Sequence, residues 1–348
     1  MSQTGMRSVK HASSVAGMSQ SAHLSDSNRS AAGIGFIIMA MVAISLNDML
    51  MKRLSGDYPL HQMVFIRSSV GILFSLVLVQ LEGGWTILKT KTPGLQALRG
   101  ILIVVSNMTF FSALAVMPLA EATALFFVAP LFITLLSIPL LGEKVGAMRI
   151  GAIIAGFAGV AIMLEPWQGQ GTRAASDYVL LLPVLAALTY ALNQILTRKL
   201  GATSKASAMA VYIQLMFILV SSIFYAVAGD GRYVDLSENE SVRFLLRAWV
   251  WPKEGDIYLF VVLGLVSGVI GYCLSQAYRL TDAATLAPFE YVGLPLAVIW
   301  GWLIWGELPG LSASIGIALI MGAGLFVFVR ERIRKRALVS AKRVHRRY

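Results

Sequence analysis

Charge is scarce in this chain. Only 14% of its 348 residues are Asp, Glu, Lys or Arg, against about 25% in a soluble domain. Hydrophobic residues make up 57%, and the mean hydropathy is +0.72. That balance excludes an ordinary soluble domain and points to the lipid bilayer. Cysteine is nearly missing: Cys273 stands alone, so no intrachain disulfide forms. The four histidines, His11, His23, His61 and His345, are scattered. They make no metal cluster, and no cofactor is expected. There is no Gly-x-x-x-x-Gly-Lys-Ser/Thr loop, which removes the signature of ATP-driven work. No Ser/His/Asp or Cys/His grouping is visible on the loops, so an enzyme is not expected. The first thirty residues hold nine serines but lack the charged head, apolar middle and cleavage site of a signal peptide.

What is present is a series of long apolar runs. About 20 such residues span the hydrocarbon. Ten candidates lie near 32–50, 62–80, 96–116, 119–141, 148–164, 178–197, 207–228, 258–280, 283–305 and 311–329. The net charge of +11 is no sign of nucleic acid, because the basic residues lie between the runs and in the last nineteen positions. With the N-terminus inside, 21 Lys and Arg fall on the inner side and 7 outside, with Arg67 left in a span. That excess predicts a multi-pass protein of the cytoplasmic membrane with both termini cytosolic. The segments are then a disordered tail 1–31, a five-helix unit 32–164, an external linker 165–177, a second five-helix unit 178–329 and a basic tail 330–348. The long external loop 229–257 carries Trp249 and Trp251, suited to the headgroup level.

The two units repeat. The runs 122-ATALFFVAPLFITLLSIPLLGE-143 and 284-ATLAPFEYVGLPLAVIWGWLIWGE-307 both open Ala-Thr, pass a proline and close Gly-Glu. Pro130 and Pro295 are 165 apart, as are Gly151 and Gly316, and Gly159 and Gly324. Five crossings per unit return the chain to the opposite side, so the units are inverted. Inverted repeats recur in secondary transporters, with the substrate held near midplane. The expected fold is therefore all-α: ten transmembrane helices in two inverted five-helix repeats.

The stretches MPLAEATALFFVAPLFITLLSIPLLGEKVG and AYRLTDAATLAPFEYVGLPLAVIWGWLIWGELP resemble the EamA repeats of the drug/metabolite transporter superfamily. The likeness covers roughly residues 32–329. It implies a ten-helix secondary carrier of small organic solutes. Relatives include exporters of amino acids and metabolites and importers of riboflavin and S-adenosylmethionine.

Polar residues inside spans locate the candidate site. A central charge costs roughly 2.5–3.5 kcal/mol on insertion scales, and such residues are functional candidates by default. Glu290 is the foremost, in position to shuttle a proton or bind the cargo, or else to serve as a buried structural acid. Gly293, Ala297 and Gly301 share its helix face, leaving room for a cavity or for a close helix. Tyr190, Asn193, Gln194 and Thr197 form one polar stripe, either lining a path or joining helices. Asn107, Gln214, Tyr272 and Gln276 are isolated polar groups, and Phe110, Phe126 and Phe127 can stack on a flat ligand or simply pack. Asp48 and Arg67 are expected to pair near the outer face, as a gate or a static bridge. Glu143 and Glu307 are expected to cap the helices that follow them. Ala155/Gly159 and Ala318/Gly322 suit close packing within the chain or in a homodimer. The expected partners are a small-molecule substrate and the bilayer. Aromatic and amide side chains together favour a riboflavin-like cargo, with export of an amino acid or related metabolite as the alternative. An intramembrane enzyme or sensor is the reading from another class.

Overall fold

The computed structural model describes residues 30–141, 146–164, 177–200, 203–236, 238–281, 286, 289–326 and 329. Of the expected tails and linker, residues 1–29, 165–176 and 330–348 fall outside these, as does Glu143; Ser30, Ala31 and Asp177 are helical. Among the described residues there is helix and no strand. The helices are α1 (Ser30–Leu54), α2 (Leu60–Glu82), α3 (Pro93–Leu114), α4 (Leu119–Phe126), α5 (Ala129–Leu141), α6 (Ala147–Leu164), α7 (Asp177–Leu200), α8 (Ala206–Ala228), α9 (Glu240–Leu246), α10 (Ile257–Leu280), α11 (Gly293–Trp300) and α12 (Leu311–Phe326). A π-helical turn, Gly301–Trp305, continues α11. Seven helical segments are long and apolar enough to cross a membrane, with α4 and α5 counted as one. Three shorter apolar segments are Ile150–Leu164, Gly293–Trp305 and Leu311–Phe326.

Prolines set several boundaries. Pro59 and Pro118 stand just before α2 and α4 in extended backbone, and Pro93 opens α3, where its missing N–H costs nothing. Two further prolines fall at breaks that the apolar pattern conceals. The run 119–141 is not one helix: α4 ends at Phe126, Phe127 and Val128 form a turn, and α5 begins just before Pro130. Pro130 has no N–H to offer the ladder, and its ring crowds the carbonyl four residues back. The run 283–305 breaks likewise: Tyr291 and Val292 form a turn, and α11 begins two residues before Pro295.

The packing interleaves the two sequence units. α2 lies on α8 and α10, and α3 on α7 and α8. Glycines permit the closest crossings. A Cβ on Gly71 would stand 3.0 Å from Gly264 O, joining α2 to α10. One on Gly316 would stand 2.7 Å from Gly159 O, joining α12 to α6. Gly159 thus serves contact within the chain. Gly322 has nothing within 4 Å of its Cβ position.

Polar side chains tie each end. At the end where α1 finishes and α2 begins, Tyr58 Oη donates to Asp256 at 2.7 Å and accepts from Lys253 N. Gln62 exchanges hydrogen bonds with Val250, Arg247 donates to Ser55 O, and Lys253 pairs with Asp57. Lys253 holds its proton above the usual lysine range because Asp57 is beside it. Trp249 is packed among His61, Phe65 and Tyr225, whereas Trp251 is exposed. At the opposite end, Gln96 donates to Ser204, Ser207 and Tyr272 donate to Glu82, and Tyr212 donates to Leu88 O. Leu73, Val77 and Leu81 stand outward on one face of α2. A contiguous apolar face of that kind suits lipid.

Candidate functional site

A cavity of about 140 Å³ lies inside the bundle. Its wall is drawn from both sequence units and includes Asp48, Arg67, Arg99, Tyr190, Asn193 and Glu290.

The break between α4 and α5 brings the Phe126 and Phe127 rings to this cavity, and the break before α11 sets the Tyr291 ring beside Phe127. The Phe127 and Tyr291 rings sit 5.6 Å apart. Phe127 rests on Gly293, whose Cβ would stand 3.0 Å from its ring. Phe126 meets Phe110 at 5.2 Å and Tyr190 at 5.2 Å. Phe110, Phe126 and Phe127 therefore form one wall together with Tyr190. Gly293 and Ala297 also line the cavity, while Gly301 lies away from it against Glu307 O.

Asp48 and Arg67 are both buried, and Asn47 stands between them. Arg67 Nη1 donates to Asn47 Oδ1 at 3.1 Å, and Asn47 Nδ2 donates to Asp48 Oδ1 at 3.0 Å. Arg67 Nη2 donates to Asn107 Oδ1. The guanidinium also lies over the Phe217 and Phe111 rings, 5.1 and 5.5 Å from their centres, where its charge meets the negative ring face. The expected pair is thus relayed through an amide.

Glu290 is buried at the cavity wall and accepts a hydrogen bond from the Tyr278 hydroxyl. Tyr278 sits on α10, and neither its position nor its polarity singled it out in the sequence. Asn193 and Gln194 line the cavity with Thr197. Asn193 Oδ1, Gln194 Nε2, Gln214 Oε1 and Thr123 Oγ1 are buried and have no hydrogen-bond partner among the described residues. Buried polar atoms are nearly always satisfied, so these four mark where a polar ligand would be met. Tyr272 and Gln276 are not brought to this site. Gln276 donates to Tyr272, which reaches Glu82 at the bundle end.

Arg99 belongs to the site, although its place near a span end reads as a flanking topology charge. It is 2% exposed, and its Nε donates to Thr197 Oγ1 at 2.7 Å. Glu307 also differs from expectation. It does not cap α12, which follows it. Its Oε2 takes an ion pair with Lys52 at 2.8 Å and stands 3.4 Å from Leu119 N, the first residue of α4. A negative charge is favoured there by the exposed N–H groups of the helix start. A second internal likeness lies in the helices that line the cavity. Leu46–Leu54, LNDMLMKRL, matches Leu192–Leu200, LNQILTRKL, at a spacing of 146. Asn47 answers to Asn193 and Asp48 to Gln194, so corresponding stretches of α1 and α7 both line the cavity.

Residues 31–165 match the family described as the EamA-like transporter family. The chain is 29% identical to a riboflavin transporter of Rhizobium johnstonii over 92% of this chain and 98% of that one. It is 26% identical to an S-adenosylmethionine uptake transporter of Rickettsia prowazekii, over 86% and 93%. A pseudopaline exporter of Pseudomonas aeruginosa is 25% identical over 84% and 94%. One solved crystal structure superposes with a TM-score of 0.60 over 88% of this chain and 98% of its own. At 19% identity that likeness is one of fold.

Proposed function

We propose that this chain, whose residues 31–165 match the EamA-like transporter family, is a secondary active carrier of a small organic metabolite across the cytoplasmic membrane. In this reading the seven long and three shorter apolar segments are ten crossings in two inverted halves, with both termini cytosolic. The cavity opens to each side in turn. The carrying observation is the cavity wall itself, which an aromatic cluster shares with orphaned amide and hydroxyl groups. A flat ring stacks on the aromatics, and the amides fix its polar edge. Riboflavin or a similar flat metabolite fits that chemistry, and the likeness to a riboflavin transporter supports it. Export of an amino acid or related metabolite is the second reading, favoured by the likeness to a pseudopaline exporter.

The broken helices supply the means of movement. A helix interrupted at Phe127–Val128 or Tyr291–Val292 can pivot without melting, and both interruptions lie at the cavity. Glu290, held by Tyr278, is the proposed coupling group. It exchanges a proton, or a hydrogen-bond partner, as the cavity changes side. Asp48, Asn47 and Arg67 close the end of the cavity nearest the α1–α2 turn. Uptake and efflux of a metabolite panel, measured in a strain lacking its own carriers, test this reading. Transport of a flat heterocycle that competes with riboflavin is expected. No movement of any panel member in either direction would overturn it.

A further inference from the structure

Arg99 stands apart from the other charges of the cavity. Its acceptors are all neutral: Thr197 Oγ1 at 2.7 Å, Met209 O at 3.1 Å and Gln96 Oε1 at 3.5 Å. The described residues bring no carboxylate to it. Arg67 has Asp48 through Asn47, and Glu290 has the Tyr278 hydroxyl. Arg99 has dipoles only. These fix the direction of the guanidinium fork but leave its charge uncancelled in a place that water scarcely reaches. Its Nη2 makes no hydrogen bond to a described residue. One turn back along α7 from Thr197, the buried Gln194 Nε2 is a second donor without an acceptor. Both residues line the cavity. A buried guanidinium held through Nε and Nη1, with Nη2 left free and an unpartnered amide N–H on the same cavity wall, can meet an oxygen of a carboxylate or a phosphate.

We propose that Arg99 anchors an anionic group of the cargo, a carboxylate or a phosphate, so that the carried molecule is a flat ring bearing an acidic substituent. This rests on the reading of the cavity as the carrying site. The ring lies against Phe126, Phe127 and Tyr190, and the acidic group reaches the end of the bundle where α3 and α8 begin. A purely mechanical Arg99, strapping α3 to α7 and α8, would support neutral and acidic cargoes alike.

The test uses the full chain in proteoliposomes and two matched probe pairs. They are riboflavin with riboflavin 5′-phosphate, and nicotinamide with nicotinate. Binding is read by competition and by thermal shift. The expected result is that the wild type favours the acidic member of at least one pair by about tenfold or more, the loss of a charged hydrogen bond being of that size. The pair that shows it separates phosphate from carboxylate. Arg99→Gln should abolish that preference while leaving the neutral member within about threefold of wild type. Arg99→Lys keeps the charge, loses the fork, and should retain a reduced preference if the glutamine variant does not fold. Thr197→Val removes the acceptor that orients Nε, and should reduce the preference without removing it. Equal binding of both members by the wild type, or an equal loss of both in an Arg99 variant, overturns the anchor while the carrier reading stands. Failure of the wild type to bind any of the four probes overturns the flat-ring reading, and the anchor falls with it.

Discussion

Lys52 Nζ lies 2.8 Å from Glu307 Oε2, closing a contact between residues 255 positions apart. The ammonium also donates to Met117 O at 3.0 Å and lies 5.0 Å from the centre of the Trp305 ring. One cation therefore joins the end of α1, the turn before α4 and the turn after the π-helical segment. The pair is partly buried, with side chains 10% and 31% exposed, so water screens it less than a surface bridge.

If that junction holds one end of the cavity shut, Lys52→Met and Glu307→Gln should each lower thermal stability in detergent. Their double mutant should show a coupling of about 1 kcal/mol. The exchanged pair, Lys52→Glu with Glu307→Lys, should recover part of the loss. Simple addition of the two single effects would mean that the contact carries no energy.

Asn47 relays Asp48 to Arg67. Asp48→Asn and Arg67→Gln should therefore be non-additive in stability, by roughly 0.5–3 kcal/mol. In an Asn47→Ala background the coupling should fall to what direct attraction between the two charges leaves. Undiminished coupling without Asn47 would show that the amide relays nothing.

Glu290→Gln keeps the shape of the side chain and can still accept from Tyr278. It removes the titratable proton. The variant should reach the membrane in normal amounts and exchange cargo, yet lose accumulation driven by a pH gradient. Wild-type accumulation across pH 5.5–8 would reduce Glu290 to a structural acid. Loss of exchange as well would make it a cargo-binding group.

Two glycines of α12 separate contact from mere smallness. Gly316→Ala drives a methyl into α6 and should cost about 1–3 kcal/mol. Gly322→Ala meets open space and should be neutral or gain up to about 1 kcal/mol from helix propensity. Thermal unfolding of the two variants, side by side, reads the difference.

Reporter fusions at Ser13 and Ser340 should both give a cytosolic signal, as the distribution of Lys and Arg requires. An external signal at either position would break the ten-crossing topology.

The sequence and the structure agree where the physics is local. The stripe Tyr190, Asn193, Gln194 and Thr197 faces inward because a polar face toward lipid is costly. The breaks at Phe127 and Tyr291 escaped notice because unbroken apolar composition looks like an unbroken helix, even with Pro130 and Pro295 in view as repeat markers. Tyr272 and Gln276 were misleading, since a lone polar residue does not say which face of α10 turns inward. Arg99 was hidden for the opposite reason: near a span end it reads as a snorkelling charge, and only tertiary packing turns it into the cavity. The pairing of Lys52 with Glu307 depends on a separation in sequence that no helical period encodes.

The interleaving of the two units also sets a schedule for synthesis. Arg99 enters the bilayer with α3, but Thr197 and Met209 lie 98 and 110 residues further along the chain. At about 5–20 residues per second, the ribosome delivers those acceptors roughly 5–20 s later. During that interval a nascent chain with an unsatisfied guanidinium depends on the insertion machinery or on lipid headgroups to shelter it. The same residue that is quiet in the finished bundle is thus a point at which membrane quality control has time to act.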